Sequence, residues 1–333
     1  MKPSLLWKRR KSNRKAKRTR RRAIAKRLKG KARWKLGEGH AKGRAKIGTW
    51  NTRGLGASGG RGIMDPAEKL KGFVKIWEAR KWCAVLLTDV CFGGTGIREY
   101  KSEQETWTII HHGKVAVALC REMTRHWRRG GAVWHGGTGG FGARCMKVEI
   151  PPKSGAKGVR LIPVYFHTSD RKHTEARAEL YENLENLAMT TNRQRRGFST
   201  LIGGDFNAET GPDKDQVWGG TQGKWGDKRR TQTGTRLLEF AWACKMRVAG
   251  TYFQKAAKST WTHPRYKTGH TLDHFLVPAN DWKRIRQVAV LTPENAVGMG
   301  ATSWAEMTDH NPVEITLQGA MAVVAKKNEE GQG

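Results

Sequence analysis

The chain has 333 residues, a formal net charge of +34 and a hydrophobic content of 37%. Such a basic balance favours a polyanionic partner, and the lack of any apolar run of about 18 residues excludes a transmembrane helix. Leu5-Leu6-Trp7 is too short for the apolar core of a secretory signal. The five cysteines are odd in number and lack paired zinc spacing, which indicates free thiols in a reducing compartment.

Much of the basic charge lies at the N-terminus. Residues 1–46 hold 21 of the 63 lysines and arginines and a single acid, Glu38. Such a segment is typical of a nucleic-acid-binding arm, a nuclear import signal or a merely soluble tail, and we expect nuclear targeting together with nucleic-acid contact. An organelle transit peptide is the alternative, because residues 1–36 are rich in arginine and nearly free of acids. The predicted nucleic-acid contacts are Arg53 and, in the tail, Lys8, Arg9, Arg10, Lys11, Arg20, Arg21 and Arg22.

Beyond the tail, the predicted elements alternate as in a mixed α/β fold. Asp65 followed by Pro66 indicates the start of a helix, and Leu70, Phe73, Val74 and Trp77 give it an apolar stripe. A Gly-rich loop is predicted from the end of strand 200–204 to residue 235. The predicted strands are 45–50, 84–87, 107–111, 115–119, 144–150, 159–165, 200–204, 260–262, 271–277 and 313–317, and the predicted helices are 65–82, 175–189 and 237–245.

Polar side chains stand at or just beyond the ends of these apolar runs. In LIGGDFNAETG (201–211), an apolar pair leads through two glycines to Asp205 and Asn207, which alone indicates a strand end followed by an Asx turn. Several carboxylates converging at one sheet edge would repel unless a cation neutralised them, and Asp and Asn oxygens suit Mg²⁺. Each residue taken singly is equally explained by a cap, a turn or a core contact. The residues at strand ends are Asn51, Asp89, Tyr165, Asp205, Asn207, Asp273, Asp309 and His310.

Seven ordered motifs carry a resemblance to a known family. They are GTWNTRGL (48–55), VLLTDV (85–90), PVYFHTSD (163–170), LIGGDFNAETG (201–211), STWTHP (259–264), TLDHFLV (271–277) and TDHNPVEI (308–315). In this order and spacing they resemble the endonuclease/exonuclease/phosphatase superfamily, and most closely the endonuclease domain of non-LTR retrotransposons. GKWGDKRRTQTGTRLLEF (223–240) follows the pattern of that group, and the resemblance runs from about Ile47 to Leu317.

This resemblance implies a four-layer α/β/β/α sandwich, in which two mixed sheets are flanked by helices, over residues 47–320. It implies phosphodiester cleavage that depends on Mg²⁺, with Mn²⁺ as a substitute, and DNA as the partner. Residues 321–333 are expected to form a disordered C-terminal tail.

The resemblance also implies the roles of the strand-end residues. Asp205 would orient or deprotonate the attacking water, Asn207 would stabilise the developing charge, and Tyr165 would contact the phosphate. Asp273 would fix the ring of His310 so that it donates to a phosphate oxygen. The metal would be held by Asp89, Asn51 and Asp309.

The chain departs from the family pattern at three positions. Asp89 stands where the family has Glu, and because its side chain is one methylene shorter, it would hold a metal through a water, more weakly, or not at all. The motif after Tyr165 reads Phe166-His167 in place of the usual proline, and His274 replaces a tyrosine.

Two classes of function are compatible with the sequence. The first is a Mg²⁺-dependent endonuclease that nicks DNA. The second is a weakened or inactive copy that binds nucleic acid, within an RNA–protein assembly for example, without cutting. A phosphatase acting on small phosphoesters is a minor third alternative.

Overall fold

The computed structural model describes residues 44–56, 64–136, 143–152, 157–194, 197–212, 217–226, 229–254, 258–293 and 304–318, with the backbone alone for 189–194. The predicted contacts in the basic tail and the predicted C-terminal tail lie outside these residues and stay predictions. No helix in the described ranges combines the length and apolar character needed to cross a membrane.

The described chain forms fifteen strands and four α-helices. The strands are β1 (Arg44–Asn51), β2 (Ala84–Thr88), β3 (Thr95–Lys101), β4 (Thr106–His112), β5 (Val115–Leu119), β6 (Trp134–Gly136), β7 (Met146–Ile150), β8 (Gly158–Tyr165), β9 (Phe198–Asp205), β10 (Met246–Val248), β11 (Trp261–Thr262), β12 (Gly269–His270), β13 (Asp273–Pro278), β14 (Ile285–Val290) and β15 (Val313–Gln318). The helices are α1 (Pro66–Ala79), α2 (Arg121–Arg129), α3 (Thr174–Gln194) and α4 (Gln232–Ala243).

Two large mixed sheets organise the molecule. The first sheet has the strand order β14-β15-β1-β2-β5-β4-β3, and the second has the order β10-β13-β9-β8-β7-β6. Each contains one parallel pair, β1 with β2 and β8 with β9, and the remaining pairs are antiparallel. The sheets face each other, since β1 and β2 lie against β8 and β9. The predicted fold class, two mixed sheets flanked by helices, is therefore confirmed.

The core lies between the sheets and beneath the helices. Trp50 of β1 is fully buried and meets Phe73 of α1 edge-on, with ring centroids 4.5 Å apart, so α1 covers the first sheet. A second apolar cluster joins Leu184 of α3 and Leu238 of α4 to Ile202 of β9 and covers the second sheet. Burial of these apolar side chains is the main source of stability.

Helix α1 begins where the sequence predicts. The Asp65 carboxylate accepts hydrogen bonds from the amides of Ala67 and Glu68 at 2.8 and 3.2 Å, which satisfies two donors that the first turn leaves free. Phe73, Val74 and Trp77 are buried as the apolar stripe predicts. The helix ends at Ala79, short of the predicted Trp82.

Some elements were not predicted or were placed wrongly. Strand β3 lies at a sheet edge with mostly exposed side chains and carries no clear apolar alternation. Helix α2 is short and dominated by charged residues, with only Met123, Thr124 and Trp127 buried. The sequence also missed β6, β10 and β14. The predicted loop to residue 235 is wrong at its end, because α4 begins at Gln232, where the Thr231 side chain caps it by accepting from the Gly234 amide at 3.1 Å.

Candidate active site

Five strands bring their ends to one edge of the paired sheets. Asn51 ends β1 beside Thr88 of β2 in parallel register, and Tyr165 ends β8 beside Asp205 of β9. Asp273 begins β13 directly opposite Asp205, because those strands are antiparallel. The topology therefore collects side chains that lie far apart in the sequence.

The two glycines before Asp205 allow neighbouring segments to approach β9 closely at this edge. A Cβ on Gly203 would overlap the Phe275 ring, which packs between the sheets, and one on Gly204 would overlap the Val164 carbonyl oxygen of β8. Gly204 also has a φ of +156°, which L side chains rarely adopt. The Gly203-Gly204 pair thus lets β9 pack tightly between β8 and β13.

The Asp205 carboxylate is buried and held on both oxygens. Asn51 donates from Nδ2 to Oδ2 at 2.9 Å, and the Asn207 backbone amide donates to Oδ1 at 2.9 Å. Asn207 has a φ of +47°, a left-handed conformation that asparagine tolerates, and its side-chain Nδ2 donates to the Phe166 carbonyl at 2.9 Å. The strand end and Asx turn predicted here are both present.

A second pair stands beside Asp205. His310 donates from Nδ1 to Oδ2 of Asp273 at 2.8 Å, and both side chains are buried. Trp50 donates to the His310 carbonyl at 2.8 Å, and the Thr308 hydroxyl accepts from the His310 amide at 3.2 Å. These contacts fix the ring, and they leave Nε2 as its second hydrogen-bonding atom. Oδ1 of Asp273 is buried with no hydrogen-bond partner among the described residues.

Burial and neighbouring charge shift the proton affinities of this group. Burial raises the pKa of Asp205 to about 7, with Asp273 adding to the shift and His310 opposing it. Burial lowers the pKa of His310, but the carboxylates of Asp273, Asp205 and Asp309 together outweigh burial and raise it to about 9. At neutral pH the site therefore holds a protonated imidazole next to a carboxylate that exchanges its proton readily.

Tyr165 lies on the same edge. The Arg144 guanidinium sits over its ring at 4.7 Å from the centroid. Burial raises the pKa of the Tyr165 hydroxyl, and the charges of Asp89 and Asp205 raise it further. The phenol therefore keeps its proton and can donate a hydrogen bond.

Asp89 and Asp309, with the side chains that contact them, form a second part of this edge, which we call the Asp89 corner. Asp89 has a φ of +52°, and its Oδ1 lies 3.3 Å from Lys114 Nζ and 3.5 Å from Cys91 Sγ. Asp309 accepts from Trp261 Nε1 at 3.0 Å, and Arg53, which is exposed, donates its amide to Asn51 Oδ1 at 3.0 Å. Every predicted catalytic and metal-binding residue therefore lies at this edge or in the loops that follow it, and their individual roles stay predictions.

Two sets of side chains offer ligands for a cation. Ligand atoms of Asp205, Asp273 and His310 lie within 4.8 Å of one another, and Nδ1 of His310 is already bonded to Asp273 at 2.8 Å. Asp89 and Asp309 each use one carboxylate oxygen in the contacts described above, and the second oxygen of each can bind a cation. These carboxylates and the Asn51 side-chain oxygen are the kind of oxygen ligands that Mg²⁺ prefers.

Sequence reasoning missed several residues of the site. Lys69 on α1 and Lys114 before β5 flank Asp89, and Trp261 contacts Asp309. Trp261 lies within the STWTHP motif (259–264), and Lys69 lies four residues before Phe73, on the buried face of α1. The hairpin between β4 and β5 agrees with the two strands predicted at 107–111 and 115–119, but no motif predicts that it brings Lys114 to Asp89.

Comparison with known proteins defines the fold. The sequence matches no family model and no curated protein.

Among solved structures, the chain is similar to the endonuclease domain of TRAS1, a telomere-specific non-LTR retrotransposon. The two share 14% identity with a TM-score of 0.50, and the match covers 83% of this chain and 99% of that one. It is similar to an AP endonuclease from Leishmania major at 13% identity and a TM-score of 0.53, covering 86% of this chain and 91% of that one. A 3′-5′ exonuclease from Neisseria meningitidis matches at 15% identity and a TM-score of 0.52, covering 82% of this chain and 99% of that one. The chain has the fold of the endonuclease/exonuclease/phosphatase superfamily.

Proposed function

We propose that the chain is a metal-dependent phosphodiester hydrolase that nicks DNA. The observation that carries this proposal is the placement of Asp205, held by Asn51 and the Asn207 amide, beside the Asp273–His310 pair at one sheet edge. A base and a protonated donor standing next to each other in a buried site suit attack by water on a phosphodiester. The shared fold with a retrotransposon endonuclease domain and an AP endonuclease supports the nuclease class.

In this proposal Asp205 acts as the base. Its pKa of about 7 lies near neutral pH, which is where a general base is most effective. The bonds from Asn51 and Asn207 aim the carboxylate, so that it can orient a water and accept a proton from it. Loss of this carboxylate should therefore reduce the rate far more than it reduces DNA binding.

His310 and Tyr165 act as donors to the phosphate oxygens. Asp273 holds His310 through Nδ1, so Nε2–H is the group that donates to the charge developing on the phosphorus centre. Tyr165 donates from its protonated hydroxyl. Asp89, Asn51 and Asp309 would hold Mg²⁺, which would supply a positive charge that screens the phosphate.

Charge supports a nucleic-acid substrate. The net charge of +34 steers polyanions to the protein, and the tail residues that precede β1, together with Arg53, are the proposed phosphate contacts. A basic tail of this kind also supports a nuclear location. The proposed partner is therefore duplex DNA in the nucleus.

One observation favours a second function, nucleic-acid binding without cleavage. Asp89 replaces the glutamate expected from the family resemblance, and its carboxylate pairs with Lys114 at 3.3 Å. A site whose metal ligand is shorter and already paired with an ammonium can lose its metal. Such a protein would bind DNA or RNA and leave it intact.

A plasmid assay separates the two functions. Purified full-length protein is incubated with supercoiled plasmid in Mg²⁺ or in EDTA, next to Asp205→Ala and Asp89→Glu. We expect nicking in Mg²⁺ alone, its loss in Asp205→Ala and its increase in Asp89→Glu. Asp281→Asn is the matched control, because Asp281 is also buried but follows the opposite end of β13, where it pairs with Lys157 at 3.0 Å. Salt-sensitive DNA binding without nicking by wild type would establish the second function instead.

A further inference from the structure

Two lysines place positive charge beside the candidate metal ligands. Lys114 Nζ lies 3.3 Å from Asp89 Oδ1 and 2.8 Å from Cys91 Sγ. Lys69 enters the same corner from α1, and its Nζ donates to the Arg53 carbonyl at 2.7 Å. Neither lysine belongs to the seven motifs.

Lys69 is unusual because it is only 4% exposed. Burying an ammonium is costly unless nearby groups compensate for the missing hydration. Burial and Arg53 lower its pKa, while the charges of Asp89, Cys91 and Asp309 raise it. The net effect is a lowered pKa, so the same two carboxylates that offer oxygens to a cation offset part of the cost of burying the Lys69 ammonium.

We propose that Lys69 and Lys114 make divalent-cation binding at Asp89 and Asp309 depend on the substrate phosphate. The two ammonium groups repel an incoming divalent ion and compete with it for the carboxylates. A phosphodiester brings negative charge to this corner, which offsets the ammonium groups and lets the cation bind. Metal and nucleic acid then bind with positive coupling, and by linkage each raises the affinity for the other by the same factor. This inference rests on the metal site of the proposed function.

The test measures metal binding directly. Mn²⁺ binding to full-length Asp205→Asn, which is expected to leave DNA intact, is followed by electron paramagnetic resonance of the free ion. Lys69→Met and Lys114→Met are compared with Lys71→Met in that background. Lys71 lies on the same helix with a side chain that is 49% exposed and pairs with Glu68, so its replacement removes the same charge from outside the site. Circular dichroism verifies that each variant is folded.

We expect Lys69→Met and Lys114→Met each to tighten Mn²⁺ binding by about tenfold in the absence of DNA, and Lys71→Met to leave it unchanged. A short DNA duplex should tighten Mn²⁺ binding in the parent, after subtraction of Mn²⁺ bound by DNA alone, and should do so less in the two site variants.

Two results would overturn the inference, and they are distinguishable. Equal Mn²⁺ affinity in all three lysine variants, with binding abolished by Asp89→Asn, would refute the coupling and keep the metal site. Mn²⁺ binding that is absent even with the DNA duplex, or unchanged by Asp89→Asn, would remove the metal site itself and the proposed function with it.

Discussion

The ion pair between His310 and Asp273 gives a prediction that needs no substrate. The pair is buried, with Nδ1 and Oδ2 2.8 Å apart, and the surrounding carboxylates raise the pKa of His310 from 6.5 to about 9. At 1.36 kcal/mol per pKa unit, this difference corresponds to roughly 3 kcal/mol of folding free energy. Asp273→Asn removes the largest of the charges that raise the pKa. We expect the value to fall toward 6.5, because burial is then opposed only by Asp205 and Asp309.

The sign of the pH dependence follows from linkage. Because the folded pKa of about 9 exceeds the ordinary value of 6.5, the pair stabilises the fold fully below pH 6.5 and loses its contribution as the pH rises to about 9. The free energy of unfolding, measured with urea at both ends of this window, should fall by roughly 3 kcal/mol more in wild type than in Asp273→Asn. Asp281→Asn should follow wild type.

The direct assay is an NMR titration of the imidazole resonances, with His310 assigned by His310→Gln. A pKa near 9 in wild type and a lower one in Asp273→Asn confirm the reasoning. A wild-type His310 that titrates near 6.5, or the same pKa in both proteins, would refute it.

Three further predictions concern the fold and the tail. Asp65→Ala removes the cap of α1 and should cost about 1 kcal/mol in urea unfolding; an unchanged midpoint contradicts the capping role. Phe275→Ala empties a fully buried position between the sheets and should cost about 3–5 kcal/mol, whereas a loss below about 1 kcal/mol would mean that the sheets do not pack there as described. Replacing Arg20, Arg21 and Arg22 by Gln should flatten the logarithmic salt dependence of duplex DNA affinity, by about 0.9 for each phosphate that the tail no longer neutralises. The same slope in both proteins contradicts phosphate binding by these arginines.

The sequence predicted the part of the site that depends on strand ends. Buried apolar runs end at Asn51, Asp89, Tyr165 and Asp205, and their order places these ends at one edge of the sheets. Strand periodicity carries this information because buried strands are short, apolar and bounded by turn residues.

The rest of the site depends on interactions between segments that lie far apart in the sequence. The Lys114–Asp89 ion pair forms across a hairpin, and the shared environment of Lys69, Asp89 and Asp309 joins a helix to two loops. Residue spacing cannot reveal such interactions. Edge strand β3 was missed for another reason, since its exposed side chains carry no apolar alternation.

Strand nicking under single-turnover conditions shows whether Asp205 acts as the base in a metal-dependent cut of DNA. With plasmid binding measured in parallel, Asp205→Asn should reduce the Mg²⁺-dependent nicking rate by at least about 100-fold, which is typical of removing a general base, while binding stays within about threefold of wild type. Asp281→Asn should nick as wild type does. Unimpaired nicking by Asp205→Asn, or nicking by wild type that persists in EDTA, would contradict the account.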